Sequence, residues 1–223
     1  MFLFLMDLSK PIDIYCERLD IGIWAEPINS VTNAAFILAA IFMWLRCKNL
    51  VEGRILSFIL FSIGCGSFLF HTFAQTWAAI LDVSAIFIFI LTYIFLANRR
   101  FLAWSKMVSL IGVILFFPYQ LLLASILSNI QFFGSSVQYI PVAILIFIYS
   151  GLLRKSDPNL SRGLFIGASI LCLSIIFRTI DEPFCSIFSV GTHFVWHILN
   201  AIMLSWMIEI LRRHMLAGYS LGR

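Results

Sequence analysis

Five residues in three apolar stretches have types and spacings that can do chemistry. His193 and His197 stand four apart in Thr192-His-Phe-Val-Trp-His197, and Ser67 and His71 stand four apart in Gly64-Cys-Gly-Ser-Phe-Leu-Phe-His71. On a helix, residues i and i+4 share a face, so two imidazoles at that spacing can reach one ion. Asp82 follows His71 by eleven residues. A single buried histidine is more often a hydrogen-bonded core group than a ligand. Three of them, with an aspartate and a serine at matched depth, argue for a metal. Three imidazoles leave the fourth position of a tetrahedral zinc open, which is the catalytic arrangement, and imidazole also suits iron or copper. The soluble zinc-protease signature is absent, because Phe194 stands where that motif places a Glu.

The elements that must position these residues are membrane helices. Of the 223 residues, 61% are hydrophobic and 12% are charged, and Phe alone fills 23 positions. A soluble domain of this length cannot hide so much apolar surface. That excludes a soluble enzyme, a disordered chain, a collagen-like chain and a small disulfide scaffold. No basic run with interleaved aromatics points to nucleic acid, and no obligate protein partner is evident. A spanning helix needs roughly 20 mainly apolar residues. Seven stretches qualify, at about 30–45, 55–75, 77–98, 107–127, 137–153, 163–180 and 192–211. Pro118 and Pro141 fall inside two of them, which membrane helices tolerate when neighbours satisfy the freed carbonyl. The fold class expected is therefore an all-α integral membrane protein, a bundle of seven transmembrane helices. Residues 1–29 precede the first span, and the chain 1–223 reads as one domain without repeat or linker. The apolar start, residues 1–6, is too short for a signal peptide and lacks a positive leader.

Twelve of the 15 basic residues fall at one set of span ends, around Arg46, Arg99, Arg154 and Arg212, and only Lys10, Arg18 and Arg178 at the other. The positive-inside rule then puts the N-terminus outside and the C-terminus in the cytoplasm. With that orientation Ser67, His71, Asp82, His193 and His197 all lie near the outer ends of their spans. Ionisable groups inside spans are functional hypotheses by default. Glu209, the other acidic residue within a span, sits a turn from Arg212 and Arg213 and reads as a local ion pair.

Several strings together resemble the alkaline ceramidases, a branch of the seven-helix membrane hydrolase superfamily that also contains adiponectin-type receptors. They are Tyr15-Cys-Glu-Arg18, Trp24-Ala-Glu-Pro-Ile-Asn29, Thr32-Asn33, Gly64 to Thr72, Leu81-Asp82, and Asp181 with Cys185 ahead of His193 and Trp196-His197. The resemblance covers most of the chain, and the Trp-Ala-Glu-Pro wording looks like a bacterial member, hence a protein of the inner membrane with its site near the extracytoplasmic face. It implies a zinc-dependent hydrolase that cleaves the N-acyl amide of ceramide or a related membrane lipid to a fatty acid and an amine, with zinc on His71, His193 and His197. It implies a Cys16–Cys185 disulfide. It also implies calcium in the N-terminal segment, on Glu17 and Glu26 with the Tyr15 carbonyl. There the sequence departs from the family: Ile14 replaces the usual Asp, with Asp13 one place earlier, and Leu19 stands where an Asn is expected, with Asp20 as its substitute.

In the hydrolase reading, Asp82 shuttles the proton from water to the leaving amine, and Ser67 donates a hydrogen bond to the oxyanion. A hydrolase of another ester or amide, and a receptor or binding protein that keeps the metal structurally, are the alternatives. A transporter is weaker, because no charged path crosses the inner half of the spans.

Overall fold

The computed structural model describes residues 7–220, so the apolar start and Arg223 lie outside it. Among the described residues, seven helical segments are long and apolar enough to cross a membrane. The first is two helices in line, α1 (Pro27–Thr32) and α2 (Ala34–Arg46), which meet at Asn33. Then come α3 (Val51–Phe73), α4 (Thr76–Arg100) and α5 (Lys106–Leu127). The fifth span enters as a 3₁₀ segment, Gln131–Tyr139, and continues as α6 (Ile140–Leu153). Pro141 therefore sits in the first turn of α6, where a missing N–H costs nothing, and not in a helix interior. The sixth span is α7 (Pro158–Thr179), followed by the single turn α8 (Asp181–Phe184); the last helix is α9 (His193–Ser220).

The helices pack as a ring in chain order. Each of α2 to α7 touches the next, α9 follows α7, and α9 closes the ring against α2. Two helices lie deepest. The most apolar windows of α3 and α9 are each 61% buried, against 6% for α5, so α5 faces lipid and the histidine-bearing helices do not. Small residues set the closest approach. A Cβ on Gly66 would meet the Asp82 backbone at 3.2 Å, and one on Gly64 would meet the Ile37 side chain at 2.8 Å. Glycines here let α3 touch α4 on one side and α2 on the other.

The end of the bundle away from the histidines is charged. Glu209 takes Arg212 at 2.7 Å, Arg213 at 2.8 Å and Arg46 at 3.0 Å, while Arg100 pairs with Glu52 and His214 with Asp157. The opposite end is closed by the N-terminal segment. Its backbone runs along the α3–α4 turn, with the N–H of Ile12 on the Ala74 carbonyl at 2.8 Å and the N–H of Thr76 on the Lys10 carbonyl at 3.1 Å. Ala74 makes that turn with φ 45°. Farther on, a disulfide joins Cys16 to Cys185, as the family resemblance implies. Cys47 is buried, and Cys65 and Cys172 are half-buried within α3 and α7; all three are free thiols.

Candidate metal centre

Ser67 and His71 come from the last turns of α3, Asp82 from the second turn of α4, and His193 and His197 from the first turns of α9. Each histidine offers a ring nitrogen that lies within 4.8 Å of the other two, and all three side chains are buried. Among the described residues this is the one group of three or more His, Cys, Asp or Glu side chains so gathered.

The hydrogen bonds around the rings assign their protons. His71 Nδ1 lies 2.6 Å from Glu26 Oε2, and His197 Nδ1 lies 2.9 Å from Thr32 Oγ1. The Thr32 hydroxyl donates to the Ile28 carbonyl at 2.8 Å, so it accepts from His197. Both rings thus carry their proton on Nδ1 and present a lone pair at Nε2. The two Nε2 atoms face each other at 3.1 Å. Facing lone pairs repel at that distance, and a cation shared between them turns repulsion into ligation. Nδ1 of His193 is buried without a hydrogen-bond partner. An outer partner that fixes the ring of a ligating histidine is the ordinary accompaniment of a protein metal site. The donor set fits a metal that accepts imidazole.

Asp82 stands beside this cluster. Its carboxyl lies next to the Ser67 hydroxyl, and no protein group satisfies its buried Oδ1. Leaving such an acceptor unpaired costs about 1–3 kcal/mol. Below the histidines the ring of helices encloses an apolar cavity. Phe36, Tyr139 and Trp196 line its upper part, and Phe89, Met207 and Phe101 carry it toward the charged end. The Trp196 ring is stacked toward His193, with centroids 6.5 Å apart, so the cavity begins against the metal centre.

Most of the oxygens expected to hold calcium accept hydrogen bonds from the chain itself. Both Glu17 oxygens accept backbone N–H groups at the start of α1, from Ile28 at 2.7 Å and Asn29 at 2.8 Å. Asp20 accepts the Gly22 N–H at 2.5 Å, Asp13 is exposed, and the Tyr15 carbonyl accepts the Arg18 N–H at 3.2 Å. Glu26 is occupied on both oxygens, by Arg18 Nε at 2.6 Å and by His71 Nδ1 at 2.6 Å, with Asn29 Nδ2 at 3.1 Å. Burial alone would raise its carboxyl pKa. Hydrogen bonds from His71, Arg18 and Asn29 outweigh that and hold it below the ordinary range.

Four supporting residues had no assigned role in the sequence. Asp181 accepts three backbone N–H groups, from Cys16 at 3.0 Å, Thr192 at 2.6 Å and His193 at 2.8 Å, so it ties the N-terminal segment to the first turn of α9. Gly191 makes room for it: at φ +70°, a Cβ there would lie 2.2 Å from Asp181 Oδ1. Thr32 holds His197, as above. Arg178 is 9% exposed, donates to Ser135 Oγ at 2.7 Å and Ser136 Oγ at 3.1 Å, and lies over the rings of Tyr15, Tyr139 and Trp196. Tyr15 in turn stacks on His193 with centroids 3.8 Å apart, and burial pushes its hydroxyl pKa up, so it stays neutral. A lone arginine inside the apolar stretch 163–180 is the signal that would have marked Arg178.

Compared with known proteins, the sequence matches the family model described as Ceramidase over residues 15–217. No curated protein matches it.

Proposed function

From the premise that this chain belongs to the ceramidase family, a family of amide hydrolases acting on lipid, we propose that it is a zinc-dependent amidohydrolase of N-acyl membrane lipids. The observation that carries the reading is the gathering of three buried imidazoles within 4.8 Å beside a carboxylate oxygen with no partner. A site that merely holds a metal has no use for Asp82; a hydrolase needs a group that moves protons.

His71, His193 and His197 would hold the ion. When bound, zinc supplies Lewis acidity for the amide carbonyl and lowers the pKa of water toward neutrality. The chain's own residues do the rest. Asp82 accepts a proton from the attacking water and delivers it to the departing nitrogen, which leaves poorly unless protonated. Ser67, one helical turn from His71, donates a hydrogen bond to the carbonyl oxygen as it gains negative charge. It is not the nucleophile, because the histidines near enough to activate it are the metal ligands. The apolar cavity between the helices receives hydrocarbon and leaves the polar part of the lipid at the histidine end. Trp196 and Tyr139, in ring contact at 4.7 Å, line the histidine end of that cavity. The basic residues at the opposite end support a cytoplasmic location for that end, and with it a metal centre near the extracytoplasmic face.

The test is hydrolysis by the purified protein of a panel of N-acyl lipids, ceramide among them, with and without a zinc chelator. Release of fatty acid that stops on chelation and returns with added zinc supports the reading. Zinc-loaded protein that releases fatty acid from no member of the panel overturns it in favour of a receptor or binding protein.

A further inference from the structure

The Arg18 side chain sits where a bound cation would be expected, and its contacts are those of one. Its Nε donates to Glu26 Oε1 at 2.6 Å, Nη1 to the carbonyls of Asp20 at 3.2 Å and Gly22 at 3.4 Å, and Nη2 to the His71 carbonyl at 3.3 Å. One carboxylate and three backbone carbonyls make an oxygen set, and hard cations such as calcium are bound by such sets. Here a guanidinium fills it. The Arg18 and Glu26 side chains are 3% and 2% exposed, so the pair is shielded from solvent. A buried carboxylate with no cation is costly, and the planar, always-charged guanidinium suits a buried ion pair.

From Glu26 the contact runs on to the metal centre, because its other oxygen holds His71 Nδ1 at 2.6 Å. Arg18 also meets the His71 backbone carbonyl, but its hold on the ring runs through Glu26. We propose that Arg18 is a positioning residue for the metal ligand His71, a built-in cation that clamps the N-terminal segment and Glu26 over the centre and leaves no place for calcium in that segment. This role rests on the reading of the three histidines as a metal site.

Two measurements test it. Apparent zinc affinity, read by competition with graded chelators, should fall by about 10- to 100-fold in Arg18→Gln, the usual loss when an outer partner of a ligating histidine is removed. Glu26→Gln should fall at least as far. Because Arg18 acts through Glu26, the double variant should bind zinc no more weakly than Glu26→Gln alone, whereas independent structural effects would add. Arg18→Lys keeps the charge but not the fork and should recover part of the loss. Zinc affinity in Arg18→Gln equal to wild type, or additive losses in the double variant, would overturn the role. The wild-type protein needs no variant for the second test: equilibrium dialysis against radioactive calcium should find none bound, and added calcium should leave Tm unchanged. Saturable calcium binding that raises Tm would overturn it. A wild-type protein that holds no zinc would instead overturn the metal reading, and this role with it.

Discussion

A methyl group on Gly66 would lie 3.2 Å from the Cα of Asp82 and 3.3 Å from its backbone nitrogen. Those are backbone atoms of α4, so nothing can swing aside and the two helices would have to part. This contact sets the distance between Asp82 and the Ser67–His71 turn. Gly66→Ala should therefore lower turnover by about tenfold or more, since a displacement of about 1 Å near a reacting centre can cost 10²-fold. Zinc content should stay full, because none of the three histidines lies on α4. Gly151→Ala is the control: a Cβ there meets nothing within 4 Å, and turnover should not change.

Loss of a ligand should behave differently. His197→Ala removes one of three protein nitrogens and should weaken zinc beyond the roughly 10- to 100-fold expected for losing an outer partner. Metal analysis after gel filtration reads this directly. A Thr32→Val variant, which removes only the acceptor on His197 Nδ1, should fall inside that smaller range.

Gly191 predicts a stability effect without a ligand. Its φ of +70° disfavours any side chain, and a Cβ would run into Asp181 Oδ1 at 2.2 Å and Cys16 Cβ at 2.6 Å. Gly191→Ala should cost at least the roughly 1–3 kcal/mol of a strained backbone position. It should also loosen the three N–H bonds to Asp181, seen as a lower Tm in detergent and faster hydrogen exchange at Cys16, Thr192 and His193.

Reduction of the Cys16–Cys185 disulfide should lower Tm as well. The bond closes a separation of 169 residues, and cross-links of this kind contribute about 2–4 kcal/mol. Cys16→Ser with Cys185→Ser should reproduce the reduced Tm and be insensitive to further reductant.

Seven apolar stretches were legible in the sequence because lipid demands long, uncharged helices. Their ends were not. Hydropathy marks only the part that meets hydrocarbon, so the expected first span at about 30–45 is Pro27–Arg46, and the expected last span at about 192–211 runs from His193 to Gly218. The 3₁₀ entry at Gln131–Tyr139 was hidden for the same reason: polar Ser135 and Ser136 break the apolar run there, yet their hydroxyls are held by Arg178. The histidines could be brought together from spacing and orientation, since i and i+4 share a face and all three lie near one end. The partners of their rings could not. Glu26 lies 45 residues from His71 and Thr32 lies 165 from His197. No periodicity links such pairs; only the packing of α1 against α3 and α9 does. The acidic residues of the N-terminal segment were legible as a charge cluster, but not the fact that Arg18 turns inward among them.

The proposed role of Asp82 is to move protons at a metal centre that the three histidines hold on their own. The most direct test is Asp82→Asn, with zinc content and hydrolysis of an N-acyl lipid measured on the same preparation. Full zinc and abolished turnover are expected, while Ser67→Ala keeps a residual rate lowered on the order of 10²-fold, as for loss of one oxyanion donor. An Asp82→Asn protein that hydrolyses the lipid at the wild-type rate would contradict that role.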